Sequence, residues 1–435
     1  MHKVHVKNTV RYYLVIVLTL LFLFLSGDFG LIDVQKTAIV MAVGIDREED
    51  TFIVTSQIAV PKSSKQGGQS ETVEIVSRGR TVADAFEEIN AKTGWYPKLV
   101  FCHLIILGEK TAQKNVFDAL DFFLLDEYMS DNCLVATCDG FAKDMLNVAA
   151  LIDPSGSVAM QKVLSPHAKR VGTVLPNTLR EFAIGYYGDS KSGYLPIVKT
   201  QPQQEQIGGE TSNGGAGENG GSGGAGGANG SGSSEDQSGS TSGADGENAN
   251  SGGSSGSGQQ GGQSKEKPVF SASETALFVG GVRVDKLTEE ETFAFNAVDG
   301  DLRLAAYTVE NDGATCSLTV KHNSPKTKLK LGTDGRATLK IEVVMSAGLL
   351  DYSKALSLES TSDAGEVPNG VFAASEKLLS AQIQTTFDKC RACGCDLFGI
   401  GERIQKYEKK RYAALKDSAL ENALADVSVK FRNIR

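Results

Sequence analysis

The sequence predicts an α+β protein (mixed α/β), with mixed sheets and flanking helices. Two observations lead to this class: Val-, Ile- and Thr-rich runs typical of strands alternate with segments of helical periodicity, and a second such series follows a long tract that cannot build a core. The predicted organisation is a signal or anchor segment at 1–27, an N-terminal mixed α/β region at 28–200 (a first domain to about residue 150 and part of a second), a linker at 201–267 and a C-terminal α/β domain at 268–435.

The N-terminus has the order of a secretory signal. Lys3, Lys7 and Arg11 precede a nearly unbroken apolar run at 12–25, and small residues follow at 26–27. The run is shorter than the ~20 apolar residues of a comfortable membrane span. A buried N-terminal helix is the alternative, but a core helix needs no flanking basic cluster. We therefore expect export.

The first folded region begins with local signals of a hairpin and a capped helix. Thr37–Asp46 and Thr51–Val60 flank a short charged connection and predict two paired strands. Thr81 precedes a helical pattern and Asp84 follows three positions later, which predicts a capped helix at 81–92. The other expected elements are strands at 72–77, 99–107, 132–137 and 195–198, and helices at 112–125, 141–150 and around 175–184.

The tract at 201–267 is rich in Gly, Ser and Asn, with almost nothing apolar to bury. Such a composition cannot offset its ordering entropy, so we expect disorder. It is either a tether or an insertion without function, since a long surface insertion costs little stability.

The C-terminal region again combines strands and helices. The expected elements are a hairpin at 274–280 and 282–285, strands at 303–309, 315–322, 326–331, 337–347 and 425–431, helices at 372–390 and 404–414, and turns at 311–313, 324–325 and 334–335.

The charge balance argues against nucleic acid as a partner. The chain has 44 Lys+Arg against 53 Asp+Glu, a formal net charge of −9, whereas binding to nucleic acid needs a concentrated positive surface.

Catalytic signatures are weak. Outside the Gly-, Ser- and Asn-rich tract at 201–267, the chain contains no G-x-S-x-G, H-E-x-x-H or G-x-x-x-x-G-K-[ST] sequence, so we expect neither enzyme activity nor a cofactor. His103 is a general base or, more simply, a core histidine. Cys390, Cys393 and Cys395 form a metal-like cluster, but a fourth ligand is not evident. The three residues are either incidental thiols, which we favour, or a metal or redox site.

Several segments, in order, resemble the C-subunit family of spore germination receptors, the Ger(x)C lipoproteins. The matching segments are AIVMAVGID (Ala38–Asp46), Gly79-Arg80-Thr81 with the helix after it, residues 98–109 and 120–124, Glu274–Phe278 with Asp285–Leu287, the terminal DVSVKFRNIR and, most specifically, DLFGIGE (Asp396–Glu402). The last is similar to the D-x-F-G-x-G-E signature of the family.

The resemblance implies a three-domain ectodomain at the outer face of the inner spore membrane. It would act without catalysis, together with multi-pass A-type and B-type subunits, in sensing nutrients. Asp28 occupies the place where the family has its lipidated cysteine, so no lipidation site is expected. We therefore expect the apolar N-terminal segment to stay uncleaved as the membrane anchor.

The resemblance also selects a candidate interaction or structural motif. Its residues are Asp396, Phe398, Gly399, Gly401 and Glu402. The motif is either a docking surface or a purely structural connection between helices. An exported solute-binding or enzymatic module and a surface scaffold unrelated to sporulation remain the alternative functions.

Overall fold

The computed structural model describes residues 2–25, 36–60, 71–148, 153, 155–201, 269–300, 302–353, 367, 369–416 and 418–434. Asp28 and residues 202–267 of the expected linker lie outside them.

Helices and strands both contribute heavily, which confirms the α+β class. The strands are β1 (Thr37–Glu48), β2 (Thr51–Val60), β3 (Glu71–Gly79), β4 (Tyr96–Lys98), β5 (Leu104–Leu107), β6 (Leu134–Cys138), β7 (Ser192–Gln201), β8 (Val269–Val279), β9 (Val282–Leu287), β10 (Ala305–Asn311), β11 (Ala314–Leu331), β12 (Ala337–Tyr352) and β13 (Leu424–Asn433). The helices are α1 (His2–Leu25), α2 (Val82–Thr93), α3 (Glu109–Ala112), α4 (Phe117–Leu125), α5 (Ala142–Leu146), α6 (Gly156–Val163), α7 (Pro166–Val171), α8 (Leu179–Tyr187), α9 (Glu289–Asp299), α10 (Asn369–Ala392), α11 (Ile400–Tyr407) and α12 (Lys409–Leu415).

The N-terminal helix α1 exposes apolar side chains, including those of Leu14, Leu18 and Phe22. Within the described residues, no helix combines the length and the apolar character needed to traverse a bilayer.

The first sheet is mixed and is covered on both faces. Its strand order is β3-β2-β1-β5-β6-β7-β8-β9, with β4 paired to the start of β1. β1 runs antiparallel to β2 and parallel to β5. Ile105 and Leu107 enter the core under α2, α4 and α8, whereas Leu104 and Ile106 enter the core under α5 and α6. An apolar run such as LIIL suits a strand that is buried on both faces.

The β1–β2 hairpin and the start of α2 form as their local sequence predicts. The side chain of Thr81 accepts a hydrogen bond from the backbone N–H of Asp84, and the Asp84 carboxylate accepts one from the N–H of Thr81. This capping box satisfies two N–H groups that the first helical turn leaves open.

The strands on either side of residues 202–268 are direct neighbours. β7 and β8 pair antiparallel, from Ser192 opposite Val279 to Gln201 opposite Val269. β8 and β9 therefore belong to the first sheet although they follow the expected linker. The division into three domains stays a prediction.

The second sheet has the order β10-β11-β12-β13. The first three strands are antiparallel, whereas β13 lies parallel to β12, because α10 to α12 return the chain to the other end of the sheet. Alternate residues of β12, such as Ile341 and Val343, are buried with Leu379, Ile383 and Phe387 of α10. This alternation is typical of a sheet with one face on a core.

The expected interior strand at 99–107 is too long. Only Leu104–Leu107 is a strand, because the backbone N–H of Cys102 donates to the carbonyl of Leu99 at 2.8 Å and closes a turn.

The expected turn at 324–325 is wrong. Pro325 lies inside β11, opposite Val343 of β12. β10 pairs with β11 only as far as Val320, so this part of β11 has a neighbour on one side only. A proline without an N–H is tolerated at such an edge.

Several helix boundaries also differ from those expected. The expected helix at 112–125 is two helices, α3 and α4, and the expected helix at 404–414 begins at Ile400 and is split into α11 and α12. α9 was not predicted, although Thr288 and Glu291 form a capping box at its start.

Candidate functional site

The DLFGIGE motif joins the end of α10 to the start of α11. Gly394 ends α10 with φ of 73°. Its N–H donates to the carbonyl of Arg391 at 3.2 Å, and the N–H of Cys395 donates to the carbonyl of Cys390 at 2.9 Å. This pair of bonds is a Schellman motif, which fixes where the chain leaves the helix.

Asp396 caps the next helix with its side chain. Its Oδ1 accepts a hydrogen bond from the N–H of Ile400 and its Oδ2 one from Gly401, both at 2.7 Å. Burial raises the pKa of Asp396, and the N–H donors of Gly401, Ile400 and Gly399 partly oppose that rise. The carboxylate is therefore used to hold the first turn of α11 in place.

The two glycines of the motif allow this close approach. Gly399 has φ of 67° and ψ of 40°, a left-handed conformation that a residue with a Cβ adopts at a cost. A Cβ on Gly401 would lie 3.2 Å from Oδ2 of Asp396.

Phe398 fixes the motif in the core. Its ring is almost fully buried and lies 5.3 Å from the ring of Phe295 in α9 and 5.2 Å from that of Phe387 in α10. Both pairs are edge-on, a favourable arrangement of aromatic quadrupoles. The ring of Phe398 thus packs against both α9 and α10.

The motif also contacts the first sheet. The N–H of Asp396 donates to Oγ of Ser192 at 2.9 Å, and Sγ of Cys395 lies 3.7 Å from the carbonyl oxygens of Gly193 and Phe278.

A second contact with the N-terminal region lies nearby. Asp189 accepts hydrogen bonds at 2.7 Å from the side chains of Gln405 in α11 and Tyr412 in α12. The motif contacts β7 through Asp396, the preceding Cys395 contacts β7 and β8, and α11 and α12 contact Asp189 just before β7.

Asp396 lies between two cavities. One, of about 530 Å³, is lined by Ser192, Tyr194, Lys169 and Asp299 among others. The other, of about 580 Å³, is lined by residues that include Asp189, Arg391, Gly394, Gly401 and Tyr412. Both volumes fall in the range of small-molecule sites.

The predicted motif residues thus come together, but in different environments. Asp396, Phe398, Gly399 and Gly401 make internal contacts, whereas Glu402 points its side chain from the first turn of α11 into solvent. A docking role for the motif stays a prediction, and Glu402 is the residue that offers it a charged contact.

Asp46 has the same role in the first sheet, which the sequence did not indicate. It is 3% exposed, and its carboxylate accepts hydrogen bonds from the N–H groups of Ala142 and Lys143 at 2.8 and 3.1 Å. Burial raises its pKa, although these two donors lower it in part. The capped residues lie far along the chain, so local spacing gave no signal.

The thiols of the metal-like cluster are in surroundings that keep them protonated. Burial raises the pKa of Cys395 to about 12, and it also raises those of Cys390 and Cys393. A thiolate is the form that binds metal or attacks a disulfide. Within the described ranges, no group of three or more His, Cys, Asp and Glu side chains has an arrangement that could hold a metal ion.

His103 lies at the start of β5. Its backbone N–H donates to the carbonyl of Met41 and its carbonyl accepts from the N–H of Leu134, both at 3.0 Å. Burial lowers the pKa of His103, and the carbonyls of Phe101 and Ser157 offset this in part. The imidazole is therefore neutral at neutral pH.

Two mixed sheets, connected through the buried DLFGIGE motif between α10 and α11, define an α+β protein. Family comparisons match residues 31–200 to the spore germination protein N-terminal domain and residues 273–435 to the spore germination B3/GerAC-like C-terminal domain. The chain belongs to the Ger(x)C family of spore germination proteins.

One spore germination protein and one solved structure also align with the chain. Spore germination protein B3 of Bacillus subtilis (strain 168) is 27% identical over 135 residues, which are 30% of this chain and 35% of that protein. The crystal structure of the GerBC protein aligns with a TM-score of 0.49 and 14% identity, over 90% of this chain and 97% of the other.

Proposed function

We propose that this chain is the C-type subunit of a nutrient germinant receptor and acts by assembly, not catalysis. The observation that carries the proposal is the match of both halves of the chain, residues 31–200 and 273–435, to the two domains of one spore germination family. Its partners are multi-pass A-type and B-type subunits.

The proposed location is the outer face of the inner spore membrane. The exposed apolar side chains of α1 support it, because their burial in lipid is favourable by roughly 25 cal/mol per Å². α1 would then hold the chain at the membrane in place of a lipid on residue 28.

Deletion of the gene in its spore-forming host tests the proposal. We expect spores that fail to respond to one nutrient while vegetative growth is unchanged, because a receptor subunit is needed only for that response. The measurement is the loss of optical density of spore suspensions with each nutrient in turn. Re-expression of the wild-type chain is the control, and deletion spores that respond normally to every nutrient would contradict the proposal.

A tagged full chain tests the partners separately. We expect both multi-pass subunits to co-purify from detergent-solubilised spore membranes, and their absence from a stable, membrane-bound chain would overturn the assembly role.

A solute-binding module is the second candidate. The two cavities beside Asp396, of about 530 and 580 Å³, favour it because they can hold an amino acid or a sugar. A thermal-shift screen of such compounds decides: a saturable upward shift with one compound supports binding, and flat melting curves with all of them argue against it.

A further inference from the structure

One edge of the first sheet exposes an unusual amount of apolar surface. Val73, Trp95, Tyr96, Val100 and Phe101 are 47, 45, 43, 47 and 62% exposed, respectively. We call these five residues the aromatic edge. Single exposed apolar residues are ordinary, but a group of large ones on one edge marks a contact surface.

Strand pairing brings these residues to the same edge. Tyr96 in β4 pairs with Thr37, the first residue of β1. Val73 lies near the start of β3, opposite Ile58 near the end of β2. Val100 and Phe101 come just before β5, which runs parallel to β1. The edge is therefore the one at which β1 and β5 begin.

Trp95 and Val73 are close neighbours. They line one cavity of about 310 Å³ together with Thr37, Ile58 and Ile75, and almost all of its wall is apolar. Beside it, the ammonium group of Lys98 lies 4.9 Å from the ring centre of Tyr128.

The opposite edge of the sheet has a different character. Where β1 and β6 end, Arg47 forms an ion pair with Asp118 at 3.1 Å, and Asp139 pairs with Arg283 at 2.9 Å. The opposite edge thus carries ion pairs, whereas the edge from which the chain leads back to α1 carries the five exposed apolar residues.

Chain length ties the aromatic edge to α1. Only residues 26–36 separate the end of α1 from Thr37, and a chain of that length spans at most about 40 Å. If the apolar side chains of α1 are in lipid, the edge at which β1 begins is tethered within about 40 Å of the end of α1.

Aromatic side chains suit the boundary between lipid and water. Trp and Tyr are enriched there because each combines a large apolar ring with one polar group. A lysine beside them can extend its ammonium group toward the phosphates while its stem stays in apolar surroundings. Lys98 has this position.

We propose that the aromatic edge lies in the headgroup region of the bilayer to which α1 holds the chain. The inference rests on the proposed membrane association of α1 and adds the orientation of the folded domain on that membrane. Asp126 and Glu127 adjoin Tyr128, so their negative charges offset the positive charge of Lys98 at this edge. Burial of the aromatic rings, and not net positive charge, therefore provides the contact with the membrane. The contact is therefore expected in neutral vesicles and should not depend on salt.

Trp95 is the only tryptophan in the chain, so it reports on this edge directly. The test uses the full chain reconstituted in phosphatidylcholine vesicles, with and without lipids brominated near the headgroup. We expect brominated lipid to remove about half or more of the Trp95 emission, since a ring at the interface touches these lipids. Acrylamide in the water should quench the emission less in vesicles than in detergent.

A matched control moves the indole to the other edge. Phe141 is 47% exposed, almost the same as Trp95, and follows β6 at the opposite end. In the double variant Trp95→Phe/Phe141→Trp, the emission should be unaffected by brominated lipid. In Phe101→Asp, quenching of Trp95 should fall severalfold, because a carboxylate resists entry into the interface.

Vesicle flotation separates the two claims. If the chain floats with the vesicles but Trp95 is not quenched, or is quenched no more than the relocated indole, the inference is wrong and the membrane association stands. If the chain does not float, both are wrong. If Phe101→Asp abolishes germination although Trp95 is unquenched in vesicles, the edge binds a protein partner and the inference is likewise overturned.

Discussion

Two buried aspartates show how single side chains organise this molecule. Asp46 and Asp396 each accept hydrogen bonds from two consecutive backbone N–H groups at the start of a helix. Burial raises the pKa of both groups, so the charged forms are held at a cost that the N–H donors partly offset. Removing either carboxylate leaves helix N–H groups without partners.

The first prediction concerns this cap. Asp396→Ala should lower the free energy of unfolding by about 1–2 kcal/mol, because two N–H groups of α11 lose their acceptor. Asp396→Asn should cost less, since one oxygen remains and no buried charge is left. Urea unfolding of the full chain measures both, and an unchanged midpoint in Asp396→Ala would rule out the capping role.

Glu402 is the matched control in the same motif. Glu402→Gln should leave stability within about 0.5 kcal/mol, because the side chain is exposed. Spores that carry Glu402→Gln therefore test docking alone. Loss of germination with normal stability supports a docking surface, and normal germination supports a structural connection.

The five motif residues could be identified from the sequence, but their partners could not. A turn with two glycines is visible in DLFGIGE. Nothing in the spacing shows that Asp396 meets Ser192, or that Phe398 meets Phe295, because these contacts join distant parts of the chain.

Among the helices, α9 and α10 meet on the ring of Phe398, just before the chain enters α11. We predict that Phe398→Ala costs about 3–5 kcal/mol, since a buried ring is lost and a cavity remains. Phe398→Leu should cost markedly less. Chemical unfolding measures both, and similar small losses in the two variants would show that the ring contacts contribute little.

Local sequence signals are sufficient to predict two elements of the fold. The β1–β2 hairpin and the cap of α2 followed from neighbouring residues, and both are confirmed. Only the end of the run at 99–107 is a strand, and an apolar composition does not distinguish a strand from a buried turn. Pro325 fits inside β11 because β10 does not extend alongside it, and the local sequence does not show where β10 pairs with β11.

At the scale of the whole molecule, a network of charges joins four strands. Glu274 in β8 pairs with Lys199 in β7 at 2.7 Å and with Lys286 in β9 at 2.8 Å. Asp139 after β6 pairs with Arg283 at 2.9 Å and with Lys199 at 3.5 Å.

This network predicts a pH dependence. Burial alone would raise the pKa values of Asp139 and Glu274, but the neighbouring cations lower them below 3.8 and 4.5. Folding stability from these groups is therefore present above about pH 4.5 and is lost as pH falls through the folded values.

Glu274→Gln tests that dependence. At pH 7 it should lower stability by about 1 kcal/mol or less, because the group is partly exposed to water. The difference from the wild-type chain should shrink as pH falls through the lowered pKa of Glu274, because the protonated carboxyl group no longer forms ion pairs. Thermal melting from pH 3 to 7 measures it, with Glu310→Gln in β10 as the control. A difference that is constant with pH would contradict the electrostatic origin.

The junction of β7 and β8 has a consequence for how the family can vary. Gln201 and Val269 are paired in the β7–β8 ladder, so residues 202–268 connect two neighbouring positions of one sheet. Residues can be inserted or deleted there without changing the pairing register of either strand. The entropic cost of closing the connection grows only with the logarithm of its length. We therefore expect members of the family to differ in length between β7 and β8, because such a difference is compatible with both sheets.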